Sequence, residues 1–226
     1  MDESIIYGLY PEVYTNSLNH KKNILGDICE SYLFKDVLQL TTIKYTAKIR
    51  DLLRLLAFQI GHQVSINELT QKLSLNRETV ERYIDLLEKA FVIFRLPAYS
   101  RNLRKEVSKM DKIYFYDLGI RNYLIDNLKP LDQRMDSGSM WENFIIAERR
   151  KQLFYTGRSV QTYFWRTYTG SEIDYVEEDG DGLRGYEIKI SKTKVQSPKL
   201  WKDEYNAGFQ LINRENYIEW LLEGMR

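Results

Sequence analysis

The sequence predicts an α/β (α+β) protein with a helical first half and a mixed-sheet second half. Three observations carry this. Apolar residues recur at three- and four-residue spacing from Asn23 to Ile60 and from Val80 to Leu87, the period of a helix with one buried face. Ser65 with Glu68, and Asn76 before Arg77, are helix-start signals that divide the middle of the chain into a helix-turn-helix pattern. After Val160 the chain changes to short runs rich in aromatic and β-branched residues, separated by Gly- and Asp-containing turns, which is strand chemistry.

The elements follow in order. Ile5 to Tyr14 is a short apolar segment. Asn23 to Leu40 reads as a helix with Leu25, Ile28, Tyr32, Leu33 and Val37 on one stripe and Glu30, Lys35 and Asp36 off it. Thr46 to Ile60 is a second helix, with Ile49, Leu52, Leu53, Leu56 and Ile60 inward and Gly61 closing it. A short helix runs from Ser65 to Leu73. The next, capped by Asn76, buries Val80, Ile84 and Leu87. Phe91 to Pro97 and Lys112 to Tyr116 read as strands around a charged hairpin.

Three helices and a two-stranded wing make a winged helix, with two readings open. One places the second helix of the pair in a DNA major groove; the other makes the unit a scaffold between domains. The helix carries Arg77, Arg82 and Lys89 but also Glu78, Glu81, Asp85 and Glu88, acids that oppose phosphate. The hairpin, with Arg101, Arg104, Lys105, Lys109 and Lys112, is the more basic surface, for a nucleic-acid backbone or simply for solvent.

Ile120 to Asn127 reads as a short helix, and the polar stretch Pro130 to Gly138 as a linker. The expected divisions are an N-terminal helical segment over 1–45, a winged-helix domain over 46–130 and an α/β domain over 131–226. Ser139 is expected to cap a helix over Met140 to Gln152. Strands are expected at Val160 to Arg166, Glu172 to Val176, Tyr186 to Ile190 and Phe209 to Ile212. Helices are expected at Leu200 to Tyr205 and Tyr217 to Leu222. Trp141, Trp165, Trp201 and Trp220 read as core.

Composition narrows the function. With 33 basic and 32 acidic residues the net charge is +1, so any attraction to nucleic acid must come from a local patch. One cysteine, Cys29, excludes an internal disulfide and fits a buried thiol in a cytoplasmic protein. His20 and His62 lack a partner at zinc-ligand spacing. No apolar run suits a membrane span, and the N-terminus lacks a signal-peptide pattern.

The chemistry concentrates between Phe164 and Lys189. Period-two alternation puts Glu172 and Asp174 on one face of a strand, Ile173 and Tyr175 on the other, and Glu187 with Lys189 on one face of its neighbour. The turn Glu177-Glu178-Asp179-Gly180-Asp181-Gly182 favours an antiparallel hairpin, which brings Asp174, Glu187 and Lys189 together at a sheet edge. Two carboxylates suit Mg²⁺ or Mn²⁺, and an ammonium beside them can orient water or stabilise charge on phosphate. The same residues also make sense as a surface ion-pair set, which adds little stability. Glu172 and Arg166 read as a pair, with a secondary role for Glu172.

Asp174 followed by Glu187-Ile188-Lys189, with Glu142 on a preceding helix, resembles the PD-(D/E)xK superfamily of restriction-endonuclease-like folds. Ile173 stands where many members have proline. The resemblance implies catalytic residues Asp174, Glu187, Lys189 and Glu142, with metal held by Asp174, Glu187 and Glu142. Lys192 and Lys194 join Arg101, Arg104 and Lys105 as candidate nucleic-acid contacts. A wider set of motifs resembles the C-terminal half of a prokaryotic AAA-family ATPase group: Tyr7-Gly8-Leu9-Tyr10-Pro11-Glu12-Val13, Tyr32-Leu33-Phe34-Lys35-Asp36-Val37, Lys112-Ile113-Tyr114-Phe115-Tyr116-Asp117-Leu118-Gly119, Trp141-Glu142-Asn143-Phe144, Phe164-Trp165-Arg166, Glu172-Ile173-Asp174 and Glu187-Ile188-Lys189. No P-loop G-x-x-x-x-G-K-[ST] occurs, so no ATP site is expected, and an ATPase domain or partner protein is. The expectation is a Mg²⁺- or Mn²⁺-dependent nuclease domain acting on DNA. The alternative is a non-catalytic interaction or DNA-binding module that regulates an ATPase.

Overall fold

The computed structural model describes residues 1–36, 46–101 and 110–223. They form two compact units, one of Met1–Arg95 with Ile113–Met140, the other of Leu96–Lys112 with Trp141–Arg226. The chain is mixed α and β, with helices first and a mixed sheet after them.

In the first unit, α1 (Asp2–Tyr7), α2 (Pro11–Thr15) and α3 (Leu18–Ile28) open the chain. The run Cys29–Asp36 continues α3 as a wider π-helical turn. Leu25, Cys29 and Leu33 are buried there. Val37, placed on this stripe by the sequence, lies outside the described residues. Burial pushes the Cys29 thiol up to about 12, so it behaves as a small apolar group. Helix α4 (Thr46–Phe58) buries Ile49, Leu52, Leu53 and Leu56, and Ile60 follows them inward.

The two caps read from sequence form as hydrogen bonds. Glu68 N donates to Ser65 Oγ at 3.3 Å, starting α5 (Ile66–Leu73). Thr79 N donates to Asn76 Oδ1 at 2.7 Å, starting α6 (Arg77–Lys89). β1 (Ile93–Leu96) pairs with β3 (Lys112–Phe115).

Asp117, which ends β3 in the sequence reading, does more. It caps α7 (Leu118–Leu124) by accepting from Ile120 N at 3.1 Å, and its other oxygen accepts from Leu9 N at 2.7 Å. Gly8 has φ +80°, and a Cβ there would lie 2.1 Å from Asp117 Oδ1. The Tyr7-Gly8-Leu9 and Asp117-Leu118-Gly119 motifs are therefore two halves of one contact. The polar stretch read as a linker is not a solvated tether. Arg121 and Arg134 are buried, and both pair with Asp136, at 2.6 and 2.8 Å.

The second unit is built on a five-stranded sheet in the order β2-β4-β5-β6-β7, from β2 (Ala98–Tyr99), β4 (Gln161–Arg166), β5 (Glu172–Asp179), β6 (Gly182–Ile188) and β7 (Gly208–Ile212). The outer pairings are parallel and the β4-β5-β6 pairings antiparallel. The long helix α8 (Ser137–Tyr155) begins before Ser139, which is therefore an internal residue and not its cap. α8 packs with α10 (Tyr217–Leu222) through a 5.4 Å contact between the Trp141 and Tyr217 rings. On another part of the sheet, Tyr99, Trp165, Ile173, Val176 and Trp201 of α9 (Lys199–Tyr205) form an apolar cluster. All four tryptophans are buried. No described helix is long and apolar enough to cross a membrane.

Candidate functional site

The sequence placed Asp174, Glu187 and Lys189 at a sheet edge. β5 and β6 instead sit inside the sheet order, and the residues gather where their shared ladder ends. The ladder ends there at the pair Tyr175 with Tyr186. Beyond it the Asp174 carboxylate takes over, accepting from Ile188 N at 2.8 Å.

Strict alternation also fails at Asp174, for a local reason. Tyr163 on β4 opposes Val176, but Trp165 opposes Ile173, so β5 carries one extra residue across from Phe164. This is a bulge, which re-aims the side chains beside it. It lets Ile173 and Val176 enter the same apolar cluster. It sends Tyr175 to Trp220, with ring centroids 6.1 Å apart, and Glu177 to Arg149.

Lys189 joins the two carboxylates. Its Nζ lies 2.7 Å from Asp174 Oδ2 and 3.0 Å from Glu187 Oε1. Burial raises the Glu187 pKa, and the neighbouring Asp174 charge raises it further, against the lowering by Lys189. Burial pulls Lys189 down, but Asp174 and Glu187 reverse this and hold it above the ordinary lysine value.

Glu142 is engaged by a second lysine. It meets Lys112, whose Nζ is 3.2 Å from Glu142 Oε1 and 2.6 Å from Glu172 Oε1. The Lys112 side chain is only 2% exposed and sits 5.4 Å from the Phe164 ring centre. Desolvation lowers its pKa, but Glu142, Glu172 and Asp174 outweigh that, so its pKa is raised and it stays an ammonium. Glu172 reaches Arg166 as well, at 3.8 Å; its nearer partner is Lys112. Lys112 is the residue that sequence reasoning missed as part of the site. It was grouped with the basic hairpin, 30 residues from Glu142.

A cavity of about 550 Å³ opens beside these acids. Glu172 and Glu187 line it with the exposed loop that carries Lys192 and Lys194. Asn213 Nδ2 holds that loop by donating to Lys192 O at 2.9 Å. Of the other basic candidates, Arg101 is exposed but tied to Glu178 at 3.2 Å and packed over Tyr99 and Tyr205. Arg104 and Lys105 lie outside the described residues.

Whether the donors suit a metal divides the cluster. Asp174 and Glu187 offer hard oxygens around the partly exposed Lys189, and Mg²⁺ is commonly held by one or two carboxylates with water and substrate phosphate completing its shell. Among the described residues no group of three or more His, Cys, Asp or Glu side chains is arranged to hold a metal by itself. The fit is therefore to a two-carboxylate site, with Glu142 engaged elsewhere.

Residues 1–131 match the family described as domain of unknown function DUF8612, and residues 137–210 match domain of unknown function DUF4143. An uncharacterized protein of Mycobacterium tuberculosis is 32% identical over 166 residues, 72% of this chain and 36% of its own length. An uncharacterized protein of Haemophilus influenzae is 26% identical over 223 residues, covering 96% of this chain and 51% of that protein. An uncharacterized protein of Methanocaldococcus jannaschii is 23% identical, with 97% and 53% covered. The chain thus spans between about a third and a half of the length of these relatives. No solved structure matches it.

Proposed function

The chain belongs to the family of domain of unknown function DUF8612, and on that premise we propose that its second unit is a metal-dependent phosphodiesterase of the PD-(D/E)xK kind that cuts DNA. The observation that carries the reading is Lys189 Nζ between Asp174 and Glu187, at 2.7 and 3.0 Å, at the ladder end of two neighbouring strands. Glu187 of this pair lines a cavity together with Lys192 and Lys194, which suits a phosphodiester. The acids repel its anionic oxygens unless a cation lies between, and the lysines attract them.

Asp174 and Glu187 would hold Mg²⁺ or Mn²⁺, which when bound supplies Lewis acidity and a more acidic water. The chain's own residues do the rest. Asp174, fixed by Ile188 N, presents its carboxylate at a set angle. Lys189 orients a nucleophilic water and offsets charge on the phosphate. Lys192 and Lys194 grip the backbone of the strand being cut.

The test is incubation of plasmid and single-stranded DNA with the protein and Mg²⁺ or Mn²⁺, beside Asp174→Ala and Lys189→Ala. Cleavage by the unmodified chain that both substitutions abolish is expected. Cleavage that survives both removes the proposed site.

A second reading, a non-catalytic winged-helix and nuclease-like module regulating a partner ATPase, is favoured by one observation in the first unit. The charges of α6 pair among themselves and with their neighbour: Arg77 with Glu81 at 2.8 Å, and Arg95 with Asp85 and Glu88 at 2.6 Å each. Little net positive charge remains on that helix for a DNA groove, which suits a protein partner. DUF4143 domains typically occur in proteins associated with AAA-family ATPases, which supports an ATPase as that partner.

A further inference from the structure

We infer that the Lys112 ammonium is the resident cation of this cluster, and that by occupying Glu142 it keeps a divalent metal off that carboxylate and confines any metal to Asp174 and Glu187. The inference deepens the catalytic reading above and relies on it only for the role of Asp174 and Glu187.

The two lysines are not equivalent. Lys189 is about a third exposed, with a side-chain accessibility of 32%, so it can leave its carboxylates for water when a metal arrives. Lys112 is 2% exposed. It is flanked by the Phe164 ring and contacts Glu142 Oε1 at 3.2 Å and Glu172 Oε1 at 2.6 Å. A metal that took Glu142 would set a divalent cation beside a buried ammonium and take one of its two carboxylate partners, leaving Glu172, and a poorly compensated buried charge is costly. A metal at Asp174 and Glu187 displaces Lys189, which is about a third exposed. The Asp, Glu and Glu set that the sequence assigns to one metal is therefore divided by its lysines: Glu142 faces a buried ammonium, while Asp174 and Glu187 face one that is partly exposed.

The split makes opposite predictions from a three-carboxylate site. Mn²⁺ binding to the full chain is measured by calorimetry and by the loss of the free-ion electron paramagnetic resonance signal, for the unmodified protein, Glu142→Gln, Lys112→Met and Asp174→Asn. Glu142→Gln is expected to leave Mn²⁺ affinity within about two-fold, and Asp174→Asn to weaken it ten-fold or more. Lys112→Met frees two carboxylates. It is expected to bind Mn²⁺ at least ten-fold tighter or to take up a second ion, with a melting temperature that rises on adding Mn²⁺ more than that of the unmodified chain.

A ten-fold loss in Glu142→Gln overturns the inference, because Glu142 would then be a ligand. So does a folded Lys112→Met variant with unchanged affinity. Glu142→Gln keeps the question decidable if Lys112→Met does not fold. Should the unmodified chain take up no Mn²⁺, the catalytic reading fails; Mn²⁺ uptake gained by Lys112→Met alone would still uphold the role of Lys112.

Discussion

Arg149 and Glu177 give the sharpest energetic test of how the site is held. Their side chains are 2% and 0% exposed and meet through two hydrogen bonds, Nε to Oε1 at 2.7 Å and Nη2 to Oε2 at 2.9 Å. The guanidinium also donates to Trp220 O at 2.9 Å and lies 4.6 Å from the Trp220 ring centre. Arg149 stands two helical turns beyond Glu142 on α8, and Glu177 stands beyond the bulge from Glu172 on β5. The Arg149–Glu177 pair and the Glu142–Lys112–Glu172 bridge are thus two anchors between the same helix and strand.

Glu177→Leu leaves the guanidinium buried without its carboxylate, and breaking a buried pair from one side costs about 3–5 kcal/mol. Arg149 keeps its Trp220 contacts, so the lower end, about 3 kcal/mol, is expected. In urea, with a slope of about 1–3 kcal/mol per molar, that moves the midpoint down by roughly 1–3 M. The shift should fall in the transition of the second unit. Replacing both partners by apolar groups of similar volume, Arg149→Met with Glu177→Leu, is expected to restore stability to within about 1 kcal/mol of the unmodified chain or above it. A single-variant loss under about 1 kcal/mol, or a double variant as unstable as the sum of its singles, would refute this account of the clamp.

Other consequences follow from the same geometry. The Glu187 carboxyl has a raised pKa in the folded state, so its charged form is disfavoured by folding; its stability contribution is full below its ordinary value of 4.5 and is lost as pH rises through the raised value. Glu187→Gln in metal-free buffer should therefore raise the melting temperature at pH 7, with a gain that shrinks towards pH 4; a lowered melting temperature at pH 7 contradicts this. Asp117→Ala removes a helix cap and the acceptor for Leu9 N. It should cost about 2 kcal/mol or more, read from chemical denaturation, and a cost under about 0.5 kcal/mol would sink the described contact. Lys192→Ala with Lys194→Ala should weaken binding to single-stranded DNA and flatten its dependence on the logarithm of salt concentration by about 1.4, measured by fluorescence anisotropy; an unchanged slope removes the loop from the interface.

The parts of this arrangement that were legible in the sequence are the local ones. The Ser65 and Asn76 caps depend on residues three apart, and both hydrogen bonds form. The tryptophans are large enough that burial was the natural reading, and all four are buried. Asp174, Glu187 and Lys189 were found because strand spacing and a hairpin turn bring them together. Lys112 was hidden because its partners lie 30 and 60 residues away on other elements, and a lysine beside a basic hairpin looks like surface charge. The bulge was hidden because one extra residue in β5 changes no residue type, only which faces the residues share. Asp117 looked like a strand terminator because its second partner, Leu9, is 108 residues distant.

The central claim is that a divalent metal sits on Asp174 and Glu187 while Lys112 keeps Glu142. An anomalous difference map from crystals soaked in Mn²⁺ tests this directly. The account predicts one peak within bonding distance of Asp174 and Glu187 carboxylate oxygens, with Lys189 turned away and Lys112 Nζ still against Glu142. A soaked crystal without a peak, or a peak bonded to Glu142 with Lys112 displaced, would contradict it.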